Sequence, residues 1–216
     1  MLVDDHRTVL WGLAKLIDGE KPRMEVVGTA TNCTEAIDLA HRTDPDVIVL
    51  DIDLGKQSGV DAIPALVARP ETRVLVLTGV RDTSLHDQAV LAGARGIVLK
   101  EDPPETILKA IEKIQEGELW LDRVTTGRIF IELSRTGTTP RRDTEKAKRA
   151  QLTARERELI SQLVADPSAN YRKIAERLHI TEHTVRNHLT SIYGKLGVVN
   201  RLELFVYAHR NGMRAP

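Results

Sequence analysis

Asp4 and Asp5 follow Met1-Leu2-Val3, and Asp51 follows the apolar run Val47-Ile48-Val49-Leu50. Carboxylates delivered by separate strand ends can hold a hard cation such as Mg²⁺, which takes oxygen ligands. A carboxylate can also become an aspartyl-phosphate. In this reading Asp5 and Asp51 are ligands, the backbone carbonyl of Asp53 is a third oxygen, and Asp4 orients a bound water. Asp51 doubles as the nucleophile, Lys100 balances the phosphoryl charge, and the Thr78 hydroxyl bonds a phosphoryl oxygen. Taken singly, each residue reads more readily as a turn, a cap or a solvated side chain. Their shared placement at the ends of four apolar runs is what points to chemistry. Cys33 has no basic neighbour in the sequence to activate it and is expected to be structural or superficial.

A second set lies in the other half, at Thr181-Glu182-His183-Thr184-Val185-Arg186-Asn187-His188-Leu189. Thr181 is a good helix N-cap, with Thr184 and Val185 in the first turns. Val185, Leu189 and Ile192 recur at helical spacing and should face inward. Arg186, Asn187 and Thr190 then share the outer face. Arg suits guanine and Asn suits adenine in the DNA major groove. His188 and Lys195 are placed to touch phosphate, which positions a protein on DNA without reading sequence. The plainer reading is a helical bundle with a solvated basic face.

Alternating strand and helix patterns must position the first set. Short apolar strands are expected at Met1–Val3, Glu25–Ala30, Asp46–Leu50, Val74–Thr78 and Gly96–Leu99. Helices are expected around Leu10–Ile17 and over Thr34–His41, Asp61–Ala68, Ser84–Ala92 and Glu105–Glu116, the last stopped by Gly117. Such alternation implies a doubly wound parallel α/β sheet. Ligands in these sheets sit at the carboxyl ends of the strands, which is where Asp4, Asp5, Asp51, Thr78 and Lys100 fall. Residues 119–134 read as one more helix, packed through Ile129 and Leu133. Arg135–Ala150 has no apolar periodicity and reads as a linker. Beyond it, four helical stripes follow: Leu159–Val164, Ile174–Leu178, Val185–Leu196 and Leu204–Ala208. The Thr153…Glu156 pair forms a capping box before the first. The expected division is 1–117, 118–150 and 151–216.

The formal net charge of zero hides an asymmetry. Residues 1–134 carry 15 Lys+Arg against 23 Asp+Glu, and residues 135–216 carry 16 against 8. A basic half points to a polyanion partner. The chain is 41% apolar, enough for real cores, and lacks an apolar run near the ~18 residues of a membrane span. No signal peptide is evident, and a lone cysteine makes no internal disulfide. A soluble cytoplasmic protein is expected.

Val3-Asp4-Asp5-His6, Leu50-Asp51, Leu77-Thr78-Gly79 and Gly93-Ala94-Arg95-Gly96-Ile97-Val98-Leu99-Lys100 resemble the receiver domain of two-component response regulators, over residues 1–117. The resemblance implies a flavodoxin-like fold, phosphorylation of Asp51 by a histidine kinase, and Mg²⁺ held by Asp5, Asp51 and the Asp53 carbonyl. Residues 152–211 resemble the LuxR-type helix-turn-helix through Ala154-Arg155-Glu156-Arg157-Glu158, Ile174-Ala175, Thr184-Val185-Arg186-Asn187-His188 and Lys195-Leu196-Gly197-Val198-Val199-Asn200-Arg201. Together the two are similar to the NarL/FixJ type of regulator. That similarity implies a homodimer on DNA, formed through the last helix, and an inverted-repeat operator.

The chain departs from the pattern at several places. Fewer residues precede Val3 than the family has, and Gly55 replaces a proline after Asp51. Ile97 stands where an aromatic switch residue is common. The proline that often follows the lysine is displaced to Pro103-Pro104. Asp166–Tyr171 is longer than the usual turn, and Tyr171 replaces a common Asn. Ile97 implies modest coupling between phosphorylation and DNA binding. Two other readings stand beside this one. The first is a DNA-binding regulator independent of phosphorylation. The second is a haloacid-dehalogenase-type phosphatase, which Val49-Leu50-Asp51-Ile52-Asp53 resembles; that enzyme reading leaves Asp4-Asp5 and the basic half without a role.

Overall fold

The computed structural model describes every residue except 56, 70, 137–147, 167–168, 199–200 and 214–216, and the side chains of 133–136. The chain divides into two compact units, Met1–Thr125 and Thr126–Pro216.

The first unit is built on a five-stranded sheet: β1 (Leu2–Val3), β2 (Thr29–Ala30), β3 (Val47–Leu50), β6 (Arg73–Thr78) and β7 (Gly96–Leu99). Their order is β2-β1-β3-β6-β7, and every pairing is parallel. Two-residue strands β4 (Asp53–Leu54) and β5 (Gln57–Ser58) form a separate antiparallel hairpin. Helices α1 (Arg7–Asp18), α2 (Cys33–Thr43), α3 (Gly59–Leu66), α4 (Thr83–Ala92) and α5 (Pro104–Gln115) fill the connections.

The uniform apolarity of β3 and of Val74–Leu77 in β6 follows from burial on both faces. Ile48, Leu50, Val74 and Val76 join one core with Ala36, Ala40, Ile63 and Leu66. The alternate residues Val47, Val49, Leu75 and Leu77 join the other with Leu10, Ile17, Ile107 and Ile114. Each large side chain so buried contributes roughly 1.5–3 kcal/mol relative to exposure. Asn32 caps α2 by accepting the Glu35 amide at 2.9 Å. Pro104 opens α5, where its missing N–H costs no hydrogen bond.

Two expectations are corrected. The second strand spans Thr29–Ala30, not Glu25–Ala30; β1 pairs it only through Leu2 and Val3. The helix expected over 119–134 is α6 (Arg123–Thr136). The residues before it lie along β7: Trp120 donates to the Arg95 carbonyl, and Ile97 donates to the Trp120 carbonyl, both at 3.0 Å. Gly96 permits this approach, because a Cβ there would lie 2.7 Å from that of Trp120. Asp122 then starts α6 by accepting the Val124 and Thr125 amides at 2.8 Å. Ile129 is buried as expected, whereas the side chain of Leu133 lies outside the described residues.

The second unit holds α7 (Ala154–Ala165), α8 (Tyr171–Leu178), α9 (Glu182–Leu196) and α10 (Arg201–Arg210). Its core gathers Leu159, Ile160, Leu163, Ile174, Leu178, Val185, Leu189, Ile192, Leu196 and Leu204. The capping box of α7 forms as the spacing predicts, with Thr153 and Glu156 exchanging bonds. Most of the expected linker, 137–147, lies outside the described residues. Its last residues are not linker-like: 148–150 are helical. Lys148 Nζ donates to the Leu196 carbonyl at 3.2 Å, and Arg149 donates to the Asn211 carbonyl at 2.8 Å.

Candidate functional site

Strand register assembles the acidic pocket. Val3 pairs with Leu50, so the residues that follow, Asp4 and Asp51, are neighbours at the same sheet end. Asp51 donates its amide to the Val3 carbonyl at 2.9 Å. Thr78 pairs with Leu99, which places Lys100 one residue beyond. The long Lys100 side chain reaches back across β6. Its ammonium lies 2.7 Å from Asp4 Oδ2 and 2.5 Å from Asp51 Oδ2.

Asp4 and Asp51 are almost fully buried, while Asp5 is about one-third exposed. Both Asp4 oxygens are engaged, since Oδ1 accepts the His6 amide at 2.8 Å. Asp51 Oδ1 accepts the Asp53 amide at 3.1 Å. Asp5 Oδ1 meets His6 Nδ1 at 2.7 Å. One ligand atom from each of Asp4, Asp5, His6 and Asp51 falls within a span of 4.8 Å. His6 was not among the residues singled out from the sequence. Its adjacency to Asp4-Asp5 was the available signal.

Burial pushes the Asp51 carboxyl up from the usual carboxylate range, against the pull of Lys100 and the Asp53 amide. Burial alone would lower the Lys100 ammonium; its bonds to Asp4 and Asp51 outweigh that and raise it. Beyond these shifts, the pocket gathers three carboxylates, Asp4, Asp5 and Asp51, around a single lysine ammonium. A hard divalent cation would relieve that surplus, so the donor set fits Mg²⁺. The Thr78 hydroxyl, fully buried, accepts the Val80 amide at 3.0 Å. It sits at the same sheet end without a direct contact to Asp51 among the described hydrogen bonds. Gly59 begins α3 against the Asp51 backbone, where a Cβ would lie 2.3 Å from the Asp51 carbonyl oxygen. Any other residue there would displace the loop that carries Asp51 to Asp53.

In the second unit, the Thr181 side chain caps α9 by accepting the Thr184 amide at 3.1 Å. Val185, Leu189, Ile192 and Leu196 are buried, and His183 and Asn187 are exposed on the opposite face. Thr184, His188 and Thr190 are half-buried, and the Thr190 hydroxyl donates to the Arg186 carbonyl at 3.1 Å. Arg186 is only 20% exposed. Its guanidinium carbon lies over the Tyr171 ring, 5.6 Å from the centroid.

Lys195, read from the sequence as a phosphate contact, is engaged within the unit. Its ammonium turns onto buried Glu156, 2.7 and 2.8 Å from the two carboxylate oxygens. The Ser191 hydroxyl donates to the same carboxylate at 2.7 Å. Burial opposes ionisation of Glu156, but Lys195, Ser191 and Thr153 together hold its carboxyl down at about 2.

A parallel five-stranded sheet with an acidic pocket at its carboxyl end, joined to a four-helix unit with a capped, cation-bearing helix, defines the class: a phosphorylation-type receiver coupled to a helix-turn-helix. The chain belongs to the family of transcriptional response regulators that join these two parts. Residues 1–112 match the response regulator receiver domain, and residues 150–208 match the luxR family of bacterial regulatory proteins. It is similar to the transcriptional regulatory protein LnrK of Bacillus subtilis, 32% identical with 99% of this chain and 97% of that protein covered. It is also similar to the nitrate/nitrite response regulator protein NarL of Escherichia coli, 33% identical with 97% and 94% covered. A two-component response regulator of the LuxR family from Aurantimonas sp. is 32% identical, with 62% of this chain and 96% of that chain covered and a TM-score of 0.55. This is a family of DNA-binding transcriptional regulators, in which phosphorylation by a kinase is typical. Among the described residues no helix is long and apolar enough to cross a membrane.

Proposed function

We propose that this regulator is switched by transfer of a phosphoryl group from a histidine kinase to Asp51, and that the switch controls binding of a homodimer to an inverted-repeat DNA site. The observation that carries this reading is the Lys100 ammonium shared by Asp4 and Asp51, with Asp5 beside them. An Asp51 oxygen attacks phosphorus, and the bond to the kinase imidazole breaks. The Lys100 ammonium, already on Asp51, moves onto a phosphoryl oxygen. The buried Thr78 hydroxyl, which accepts the Val80 amide, donates its hydrogen to another phosphoryl oxygen. Mg²⁺, held by Asp5, Asp51 and the Asp53 carbonyl with Asp4 on a bound water, would offset repulsion between the Asp51 carboxylate and the phosphoryl donor.

At the DNA, Arg186 and Asn187 read bases, with Thr184, His188 and Thr190 around them on α9. Two copies reading two half-sites demand an operator with approximate two-fold symmetry. The test incubates the chain with acetyl phosphate and Mg²⁺, measures intact mass, and follows with a DNA shift assay. A gain of one phosphoryl group and tighter DNA binding are expected. No gain in mass would refute the switch.

A further inference from the structure

The aromatic ring beneath Arg186 does something that packing alone does not require. Tyr171 is the first residue of α8, held there because the Asn170 side chain caps the helix at the Lys173 amide, 2.9 Å away. The ring is 3% exposed and belongs to the core of the second unit. Core packing therefore fixes its position before any DNA arrives. Arg186, one turn into α9, lays its guanidinium over the face of that ring at 5.6 Å, inside the ~6 Å range of a cation–π contact. One helical turn earlier, Glu182 Oε2 stands 3.9 Å from Arg186 Nη2. The guanidinium thus lies over a ring and has a carboxylate near one end.

We infer that Tyr171 is a positioning residue for base readout: it holds the Arg186 guanidinium flat, so that its edge is presented to a guanine. This rests on the reading of α9 as the base-reading helix. The geometry separates the two uses of one side chain. Stacking on an aromatic ring engages the π face of the guanidinium, whereas bidentate recognition of guanine O6 and N7 uses N–H groups at its edge. Both can hold at once. A long side chain that would otherwise sample many rotamers is thereby ordered in the free protein, and less freedom is lost when the base is met. The contact crosses from the scaffold helix to the reading helix, so the sequence separation of Tyr171 and Arg186 hides it.

The experiment first selects a preferred site from random duplex DNA with the phosphorylated full-length chain. Wild type, Tyr171→Phe, Tyr171→Leu and Arg186→Ala are then compared on that site, on versions with single base changes, and on scrambled DNA. Tyr171→Phe keeps the ring and should retain discrimination. Tyr171→Leu keeps an apolar core residue but removes the ring, and should lower discrimination at one guanine by about three- to ten-fold. Its affinity for scrambled DNA should not change. A folded Tyr171→Leu protein with full discrimination would overturn the positioning role, while loss of discrimination in Arg186→Ala would still uphold α9 as the reader. If Arg186→Ala itself discriminates like wild type, the reading of α9 fails, and with it this inference. A measurement on the unaltered protein covers the case in which Tyr171→Leu does not fold. The Arg186 side-chain protons should show an upfield ring-current shift in NMR spectra, both free and bound to the selected site. Loss of that shift on binding would mean that the arginine leaves the ring to read DNA, and the inference would be wrong.

Discussion

The acidic pocket and the reading helix use charge in opposite ways. In the pocket, four ionisable groups from the ends of three strands are drawn to one point. Lys100 and Asp4 meet at 2.7 Å across most of the first unit. In the helical unit, faces are set by spacing along single helices, and His183 and Asn187 remain turned to solvent. Even there, Lys195, a cation expected on the surface, is turned inward onto Glu156. The lesson is that a basic composition does not measure a basic surface. Part of the positive charge of this half balances its own buried groups.

The sharpest way to break this comparison is at the pocket. Asp51→Asn should abolish the mass gain from a small-molecule phosphoryl donor, because the nucleophilic oxygen is gone. Undiminished labelling of that variant would move the acceptor elsewhere.

Glu156 should show the inward use of charge most clearly on the other side. Glu156→Ala leaves the Lys195 ammonium and the Thr153 amide without their partner, and should cost about 2–4 kcal/mol of stability in the helical unit. Chemical denaturation would measure it. The pH dependence has a definite sign. Glu156 is held at about 2 against an ordinary 4.5, so its stabilisation is fully present above about pH 4.5 and fades as pH falls toward about 2. A midpoint flat across that window in wild type would contradict the bridge.

Asp5→Asn removes charge from the most exposed carboxylate of the pocket while keeping its size. It should weaken Mg²⁺ binding and slow labelling by acetyl phosphate. Equal labelling rates with EDTA and with Mg²⁺ would dispose of the metal.

Lys195→Ala sharpens the comparison by what it should leave alone. A phosphate-contacting lysine contributes about one unit to the salt slope of DNA binding. With its ammonium on Glu156, Lys195 should contribute little to the slope and more to stability. A full unit lost from the slope would return it to the DNA surface. The smallest effect expected is the coupling between the units. With Ile97 in the switch position, phosphorylation should raise DNA affinity about five-fold, near the ~1 kcal/mol low end of allosteric couplings. Equal affinities would instead support a regulator that works without phosphorylation.

Read by itself, the sequence determined the parts governed by local rules. Apolar runs bounded by turns located β3, β6 and β7 to within a residue, because strands buried on both faces must be apolar throughout. Helical spacing and caps located α7 and α9, since Thr153 and Thr181 satisfy amides three residues away. The strand ends carrying Asp4, Asp5, Asp51, Thr78 and Lys100 were legible for the same reason. Tertiary structure decided what those rules do not reach. The truncation of β2, the run of Trp120 along β7, the place of His6 beside Asp5, and the capture of Lys195 by Glu156 all join residues whose separations carry no periodic signal. A long, positively charged side chain reads the same in a sequence whether it faces a phosphate or a buried carboxylate. The choice is made by which partner the fold brings within reach, and by the cost of leaving a buried charge such as Glu156 without one.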